Sequence, residues 1–420
     1  MQDRRAFIKL SAAGLLGMAF QDANMEETYE LAVPDLRAAS WSKIQKQFKF
    51  DKGVTFMNNG TMGINPLPVQ RAVADRISYI SRRGSYGGLE MMAQKKIAEY
   101  IGAEQQEIAL THNVSEGINF AAWALPMEPG DEVILTNHEH VGNALPWLNR
   151  KEIDGIKLVV AEIQPDSKSM LDEIIGRVTS KTKVIAVPHI LCTTGQVLPV
   201  KEICAYARSK GIYTFIDGAH GIGMLPLDMH DLDCDMYISC GHKWLLAPSG
   251  TGIIYVREAS IEDLTPRFVG GHSDKKWVLS NEEAGIEGYN PTAHRFYYGT
   301  QSSPLFAGLI AAVEFGQSIG QDRIWSYISS LNNYLYEQLE VLQEEGKLSI
   351  LTPKEKQSRG GIISARLVGD NLEFYKSLSL DSFIIRYVAE SDLNCVRIST
   401  HIYNTKAQVD ELIKRIRAYA

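Results

Sequence analysis

Cysteine is scarce in this sequence, and its spacing indicates no paired role. The 420 residues include five cysteines, namely Cys192, Cys204, Cys234, Cys240 and Cys395. An odd number without a Cys-X-X-Cys pair indicates neither a disulfide framework nor a zinc ribbon. We therefore expect mostly buried free thiols.

Positive charge is not in excess either. The chain has 43 Lys and Arg residues against 50 Asp and Glu, which gives a formal net charge of −7. It also lacks a long block of Lys or Arg. Because proteins that bind nucleic acid present a basic surface, nucleic acid is not an expected partner. The length and the 45% hydrophobic content fit a globular chain with room for two domains.

The apolar run near the N-terminus, residues 10–20, is too short to cross a bilayer. It follows Arg4, Arg5 and Lys9, and this order is typical of an export signal. Residues 4–9 resemble the twin-arginine (Tat) signal, although Asp3 stands where that pattern usually has Ser or Thr. We therefore interpret residues 1–24 as a Tat signal. The alternative is a chance arginine pair before a buried helix.

This interpretation has consequences for location and partners. The protein would meet the Tat translocase during export and would be periplasmic or otherwise exported. An uncleaved signal would retain it at the membrane, and no clean cleavage site is visible.

Short apolar runs alternate with helical patterns over the first 256 residues. Seven of them read as strands: Glu107–His112, Glu132–Thr136, Lys157–Ile163, Lys183–Pro188, Ile212–Ile216, Asp235–Ser239 and Gly252–Val256. Helix-length connections predict an α/β fold with a mostly parallel sheet, whose ligands bind beyond the carboxyl ends of the strands. The last two runs are joined too tightly for a crossover helix. One of them is therefore expected to lie antiparallel.

From about residue 304 the pattern changes to long amphipathic helices and a few strands, which indicates a second, smaller domain. We expect an N-terminal arm over residues 25–65 that contributes to the small domain and to the active-site entrance. Residues 66–304 would form the large domain, and residues 305–420 the small C-terminal domain.

Polar residues follow several strands at the edge where ligands are expected. Lys243 stands at the exit of a strand that looks buried, where a free ammonium group is costly. Asp217 ends another strand, His140 follows a third, and Ser115 is a plausible N-cap at a helix N-terminus that could hold a phosphate. Pyridoxal 5′-phosphate (PLP) requires this whole set: a lysine for a Schiff base, a carboxylate, a ring partner and a phosphate site. A lysine joined to PLP is not a permanently buried charge.

Several motifs together resemble one family. Asp217-Gly-Ala-His220 is followed, 26 positions after Asp217, by Lys243 in Gly241-His242-Lys243. With "MNNGTMG" (57–63), "RFYYGTQSSPL" (295–305) and "RISTHIYNT" (397–405), these motifs resemble the class V aminotransferases of PLP fold type I over most of residues 55–415. "MNNGTMGINP" and "HKWLLAPSG" look closest to isopenicillin N epimerase-like proteins. The resemblance implies a seven-stranded large domain and a smaller α+β C-terminal domain.

The resemblance assigns roles around the ring. Lys243 would form the Schiff base and carry a proton between Cα and the cofactor. Asp217 would pair with the pyridinium nitrogen, His140 would stack on the ring, and His220 would approach the ring hydroxyl. The alternatives are a solvated loop lysine, an N-cap aspartate and hydrogen-bonded loop histidines.

By the same resemblance, Ser115 and the Val114 backbone would hold the phosphate, helped by His242. Thr300 would reach the phosphate from a neighbouring subunit, which implies a homodimer; alternatively, it belongs to a simple turn. Cys240 stands where many desulfurase-like relatives have serine, so no role is assigned to it.

For the substrate, Arg397 matches the arginine that binds the α-carboxylate, and a guanidinium group suits a carboxylate bidentately. Arg386 is the second candidate, and Asn59 resembles an asparagine that comes near the substrate. Either arginine could instead be structural. The pair His138 and His140 lacks a third ligand, so no metal is expected.

These assignments predict a PLP-dependent enzyme that acts at Cα of an amino-acid-like substrate, similar to isopenicillin N epimerase. The alternative is an aminotransferase or a lyase of small amino acids. Cysteine desulfurase is disfavoured because no cysteine lies between Ile319 and Asn394. A non-catalytic binding protein is least favoured. A dinucleotide-binding oxidoreductase would use Gly218, Gly221 and Gly223, whose spacing does not match G-x-G-x-x-G.

Overall fold

The structure is a computed structural model that describes residues 33–85 and 88–420. The expected Tat signal, residues 1–24, lies outside the described residues and stays a prediction.

The described residues contain fifteen strands in chain order: β1 Thr55–Phe56, β2 Ile108–Thr111, β3 Glu132–Thr136, β4 Lys157–Ala161, β5 Thr182–Ile185, β6 Tyr213–Asp217, β7 Met236–Cys240, β8 Gly252–Val256, β9 Asp274–Leu279, β10 Ala284–Tyr289, β11 Leu348–Ile350, β12 Ile362–Leu367, β13 Phe383–Ile384, β14 Arg386–Val388 and β15 Cys395–Ser399. The same residues contain twelve α-helices: α1 Trp41–Gln45, α2 Leu67–Arg83, α3 Glu90–Ile101, α4 Val114–Ala124, α5 Val141–Asp154, α6 Ser167–Gly176, α7 Val200–Ser209, α8 Met229–Leu232, α9 Ser303–Ile319, α10 Gln321–Glu344, α11 Asn371–Leu380 and α12 Lys406–Tyr419.

A seven-stranded sheet in the order β2-β8-β7-β6-β5-β3-β4 forms the centre of the fold. Strand β8 is antiparallel to both of its neighbours, and the remaining pairs are parallel. The expected mostly parallel sheet, with one of the last two strands reversed, is therefore confirmed. The predicted strands all occur, with ends that differ by a few residues at most.

The two faces of this sheet are packed by different helices. Alternating strand residues point to opposite faces, so Leu110 and Ile216 join one apolar cluster while Ala109 and Phe215 join the other. Since both faces are covered, the strands are apolar almost throughout, as parallel sheets require. The carboxyl ends of the parallel strands remain accessible for a site.

Helix α9, Ser303–Ile319, spans the predicted domain limit at residue 304. Its side chains are apolar nearly all round, which favours burial on every side, and Phe306, Leu309 and Ile310 pack in the core with α2 and α3. This helix therefore packs with the part of the chain that contains the seven-stranded sheet. The domain limits themselves stay predictions.

The C-terminal part carries a four-stranded sheet in the order β11-β12-β15-β14, packed by α10, α11 and α12. The N-terminal arm contacts this C-terminal part of the chain. Strand β1 pairs in parallel with β13 in a separate two-stranded sheet, and Asn58 forms a β-bridge with Ser399. Ser399 Oγ accepts a hydrogen bond from Gly60 N at 2.8 Å. These contacts place residues 60 and 61 beside the ends of the central strands.

All five cysteines are free and buried, as expected. Strands β9 and β10 form a hairpin outside both sheets. Within residues 33–85 and 88–420, no helix combines the length and apolar character needed to cross a membrane.

Candidate active site

One cavity of about 370 Å³ lies at the carboxyl ends of β6 and β7. It contains nine of the residues expected from the sequence: Val114, Ser115, His140, Asp217, His220, His242, Lys243, Arg386 and Arg397. They come from both parts of the chain, since the two arginines lie on the C-terminal sheet. The structure therefore brings most of the predicted site residues together, while their roles remain proposals.

Lys243 follows β7 and is held by its main chain. Asn59 Nδ2 donates to the Lys243 carbonyl at 3.4 Å, and Gly63 N donates to the His242 carbonyl at 2.7 Å. The Lys243 side chain is thereby free to extend into the cavity, where Nζ lies 3.4 Å from His220 Nε2.

His220 is buried at the back of the cavity and is held as a neutral ring. Burial, with the nearby charge of Lys243 as the second cause, lowers the pKa of His220 well below its ordinary value. Trp244 Nε1 donates to His220 Nδ1 at 3.0 Å. Because Nδ1 accepts, the neutral ring carries its proton on Nε2, the nitrogen that faces Lys243 Nζ.

Asp217 ends β6 and is buried, with 5% of the residue exposed. Oδ1 accepts from Ala219 N at 2.9 Å, whereas Oδ2 has no hydrogen-bond donor in the part of the chain that the structure describes. Burial raises the pKa of Asp217, and the hydrogen bond from Ala219 N and the charge of Lys243 oppose that shift. A cationic partner at Oδ2 would favour the carboxylate form.

His140 is the N-cap of α5, and its Nδ1 accepts from Gly142 N at 3.0 Å. Burial, followed by the charge of Lys243, lowers the pKa of His140. The ring is therefore neutral at pH 7, with its proton on Nε2. A Cβ at Gly142 would lie 2.8 Å from Ser115 Oγ, so glycine there leaves room for the Ser115 side chain.

The N-terminus of α4 differs from the prediction by two residues, because the N-cap is Asn113 and not Ser115. Asn113 Oδ1 accepts from Glu116 N at 2.9 Å, so this N–H group is already hydrogen-bonded within the helix. The N–H groups of Val114 and Ser115 keep the right position for an anion. Nearby, His242 Nδ1 is buried without a hydrogen-bond partner among the described residues.

Arg397 is fully buried, and the charge of its guanidinium group is costly to keep there. Nη1 donates to the Cys192 carbonyl at 2.8 Å and Nη2 donates to Thr61 Oγ1 at 2.9 Å. Nε has no acceptor within the described ranges. Burial, and next the charge of Arg386, lowers the pKa of Arg397 to about 10.

Two expected site residues lie outside the cavity wall. Asn59 is fully buried; it donates to the Lys243 carbonyl and accepts from Tyr403 Oη at 2.8 Å, so it braces the lysine rather than facing the substrate. Thr300 is exposed and does not line the cavity of its own chain. Its expected reach into a neighbouring subunit stays a prediction.

His138 and His140 point to different cavities, although they are two residues apart. His138 Nδ1 lies 2.9 Å from Thr193 Oγ1, and His138 lines a separate cavity of about 710 Å³. Over the described ranges, no three His, Cys, Asp or Glu side chains are grouped so that they could hold a metal ion.

Six lining residues were missed from the sequence: Gly60, Thr61, Asn113, Cys192, Ala219 and Cys240. Cys192 lies in the loop that follows β5, and this position after a strand was an available signal. Burial raises the pKa of the Cys192 thiol, which keeps it protonated. Cys240 lines the cavity, whereas Ser239 does not, and Ser239 Oγ donates to the Gly218 carbonyl at 2.7 Å. This difference is expected because neighbouring residues of a strand point to opposite faces of the sheet.

The residues present fit PLP. Asp217 Oδ2 offers an acceptor to the ring nitrogen, and Lys243 Nζ can form a Schiff base. The orphaned His242 Nδ1 and the N-terminus of α4 suit a phosphate group. Arg397 Nε has no acceptor among the described residues, so it is available to bind a carboxylate group of the substrate.

Comparisons with known proteins agree with this fit. The family model described as aminotransferase class V matches residues 88–412. The chain is 32% identical to a cysteine desulfurase of Serratia proteamaculans, covering 76% of this chain and 80% of that protein. It is 26% identical to isopenicillin N epimerase of Streptomyces clavuligerus, covering 91% and 99%.

Among solved structures, a mutant of C-DES with glycine covalently linked to its PLP cofactor is 25% identical, with a TM-score of 0.80 over 89% of this chain and 98% of that one. A second C-DES structure, described as a cystine C-S lyase in complex with cysteine persulfide, has a TM-score of 0.79 at 25% identity and covers 87% and 97%.

Proposed function

The chain belongs to the class V aminotransferase family of PLP-dependent enzymes, and on this premise we propose that it acts at Cα of an amino-acid-like substrate in the manner of isopenicillin N epimerase. One observation carries the proposal. Lys243 Nζ, Asp217, His140 and Arg397 line a single cavity, so a proton carrier, a ring partner and a carboxylate-binding group surround one volume.

Bound PLP supplies an electron sink that takes up the electron pair left when a bond to Cα breaks. Asp217 Oδ2 would hold the ring nitrogen protonated, and the neutral His140 would pack against the ring. Lys243 Nζ takes the proton from Cα and returns it. His220 Nε2 lies 3.4 Å from Nζ, and its N–H would be available to the ring hydroxyl of the cofactor.

Arg397 fixes the α-carboxylate and thereby decides which bond to Cα stands perpendicular to the ring. Its guanidinium group is anchored by the Cys192 carbonyl, Thr61 and Asn58, which leaves Nε and one N–H of Nη1 for the substrate. A fixed guanidinium group loses little freedom when a carboxylate binds. Inversion at Cα also requires a second proton carrier on the face opposite Lys243.

The second candidate reaction is cleavage of the Cβ–Sγ bond of a cysteine-like substrate. It is supported by the relatives described as cysteine desulfurase and cystine C-S lyase. The loop between Val388 and Cys395 carries no cysteine, and Cys395 is fully buried outside the cavity. Cys192, however, is a cysteine that lines the cavity. The sequence argument against desulfuration therefore does not exclude it.

The test is to incubate the PLP-loaded enzyme with L- and D-amino acids in deuterated water and to follow Cα exchange, chirality, keto acid and sulfide together. Exchange with inversion is the expected result for an epimerase. Sulfide release without inversion would support the second candidate instead. The variant Lys243→Ala should lose all exchange, whereas Lys210→Ala, a change at an exposed lysine, should retain it. Exchange that survives Lys243→Ala would contradict the proposal.

The proposed active unit is a homodimer in which Thr300 reaches the partner's phosphate site. Its exposure and its absence from the cavity of its own chain are compatible with that role. Mixing inactive Lys243→Ala and Thr300→Ala chains should restore activity, because one site of each mixed dimer has both residues. No recovery in proven mixed dimers would contradict the arrangement.

Export by the Tat route is also a proposal. It is supported by Arg4 and Arg5 before the apolar run at residues 10–20. Residues 1–24 fused to a reporter should direct it out of the cytoplasm, and replacing both arginines by lysine should stop export. Unchanged export after that replacement would contradict a Tat signal.

A further inference from the structure

Cys192 and Lys243 reach the active-site cavity from strands on either side of Asp217. In the central sheet, β6 lies between β5 and β7. Asp217 ends β6, Cys192 lies in the loop after β5, and Lys243 lies shortly after β7. All three residues line the cavity. A ring held at its nitrogen by Asp217 would therefore have the lysine on one side and the thiol on the other.

Arg397 ties the Cys192 segment to the place where the α-carboxylate is proposed to bind. Arg397 Nη1 donates to the Cys192 carbonyl at 2.8 Å. Arg397 is fully buried, and its Nε has no partner among the described residues. A carboxylate bound at Nε is joined directly to Cα. The residue that fixes the arginine therefore also places its thiol near the reacting carbon.

The thiol of Cys192 is a proton source that no other contact uses. Thr61 Oγ1 donates to Asn58 Oδ1 at 2.8 Å, and Cys240 Sγ donates to the Ala219 carbonyl at 3.8 Å. Cys192 Sγ, by contrast, forms no hydrogen bond with another residue that the structure describes. Burial raises the pKa of this thiol, so it holds its proton at pH 7.

His140 is the other proton-bearing side chain on the same side as Cys192, because it follows β3 and β3 lies beyond β5 in the sheet. Its Nδ1 accepts from Gly142 N, and its ring is proposed to pack against the cofactor. A ring that packs flat presents its face, and not its Nε2–H, to its neighbour. Cys192 is therefore better placed than His140 to transfer a proton.

We propose that Cys192 is the second proton carrier, on the face of the substrate opposite Lys243, and that the two residues together invert the configuration at Cα. This inference deepens the proposed function and rests on it. In one direction, the C–H bond at Cα breaks and its proton goes to Lys243 Nζ. The electron pair then returns to Cα as the S–H bond of Cys192 breaks, so a new C–H bond forms on the opposite face and the sulfur becomes a thiolate. Exchange with water returns a proton to the thiolate and removes one from Lys243, so no further reactant is needed.

The experiment follows both enantiomers of one amino acid in deuterated water, chosen as the one that the PLP-loaded wild type inverts fastest in a panel of L- and D-amino acids. Cys192→Ala should still exchange the Cα hydrogen of the enantiomer that presents it to Lys243. Inversion should fall at least about 100-fold while this exchange stays within about threefold of wild type, because general acids contribute 100-fold or more. Cys192→Ser should behave similarly, since a hydroxyl group is a much weaker acid than a thiol.

A second measurement does not depend on turnover. Iodoacetamide reacts with thiolates, and mass spectrometry identifies the modified cysteine. In the loaded wild type, Cys192 should be alkylated before Cys204, Cys234 and Cys395, because these three are buried away from the cavity. The bound amino acid should protect Cys192. Cys204→Ala removes a buried thiol from α7 and should leave inversion and exchange unchanged.

Cofactor content and thermal unfolding show that each variant is folded. Inversion at the wild-type rate in Cys192→Ala would overturn the inference and leave the proposed function standing. An equal loss of inversion and exchange in both Cys192 variants would also overturn it, because Cys192 would then hold the substrate without carrying a proton. So would a Cys192 that stays unmodified until the protein unfolds. If the wild type itself inverts no amino acid, the proposed function fails instead.

Discussion

Trp244 directs the proton of His220 at Lys243. Trp244 Nε1 donates to His220 Nδ1 at 3.0 Å, so the proton of the neutral ring sits on Nε2, which is 3.4 Å from Lys243 Nζ. The Trp244 carbonyl in turn lies 3.0 Å from His401 Nε2. The protonation pattern around the lysine thus depends on an indole that does not line the cavity.

Replacing Trp244 by Phe should disturb this pattern while leaving cofactor binding in place. Without the indole N–H, His220 can carry its proton on either nitrogen, and the loss of one buried hydrogen bond should slow Cα exchange about tenfold. The pH at which the visible absorption of the bound cofactor changes should shift as well. Stopped-flow absorption and exchange rates measure the two effects.

Trp325→Phe on α10 is the matched control, because it makes the same change in a partly buried tryptophan away from the cavity. If both variants show the same exchange rate and the same pH behaviour, the role given to Trp244 is incorrect.

The sheet and the strand-end residues could be predicted because they are local features of the chain. Asp217 and Lys243 each follow an apolar run, and the ends of such runs are visible in the sequence. The N-cap of α4 was misassigned because asparagine and serine are both good N-caps. Only the backbone conformation of Asn113 decides between them.

Contacts between distant parts of the chain could not be predicted. Gly60 and Thr61 reach the cavity through a hydrogen bond from Gly60 N to Ser399 Oγ, which joins residues 339 positions apart. Cys192 lines the cavity beside Arg397, whose Nη1 donates to the Cys192 carbonyl from 205 positions away. Neither contact is visible in the sequence as a periodicity or a local motif.

Replacing Asp217 by Asn should spare folding but slow catalysis. A carboxylate close to a cation raises the pKa of that cation by about 1–3 units, so its loss should slow Cα exchange by about 10- to 1000-fold. Exchange rates at saturating substrate measure this. Asp228→Asn is the control, because Asp228 is an exposed N-cap of α8 and asparagine caps a helix equally well. Exchange at the wild-type rate in Asp217→Asn would contradict the pairing with the ring nitrogen.

Replacing Gly221 by Ala should destabilise the loop that carries Asp217 and His220. A Cβ at Gly221 would lie 1.8 Å from Tyr237 Oη, and Tyr237 is fully buried beside His189. Overpacking of this kind costs about 1–3 kcal/mol in the free energy of unfolding. Urea unfolding of the wild type and the variant measures the difference.

Gly176→Ala is the matched control, because Gly176 lies in α6 with open space around it, and alanine there should stabilise by about 0.5–1 kcal/mol. Adding Tyr237→Phe to Gly221→Ala removes the clashing hydroxyl group and should recover part of the loss. A double variant whose loss is the plain sum of the two single losses would show that the clash is not the cause.

Replacing Glu139 by Gln should change how stability depends on pH. Thr136 N and Thr136 Oγ1 donate to Glu139 Oε1 at 2.9 and 2.7 Å, and Asn143 Nδ2 donates to Oε2 at 2.7 Å. Burial nevertheless raises the pKa of Glu139 from 4.5 to about 7. Between these pH values the folded chain binds more protons at Glu139 than the unfolded chain. The free energy of unfolding therefore falls as pH rises through this window.

Glutamine does not titrate, so Glu139→Gln should gain stability relative to wild type between pH 5 and pH 8. Because the Glu139 side chain is partly exposed, we expect a relative gain of about 1–2 kcal/mol rather than the full value of the shift. Urea unfolding at the two pH values measures it. Glu152→Gln, at a largely exposed position on the same helix α5, should show no such gain. Parallel pH profiles for the wild type and Glu139→Gln would mean that Glu139 is already ionised at pH 5, with its three hydrogen bonds outweighing the cost of burial.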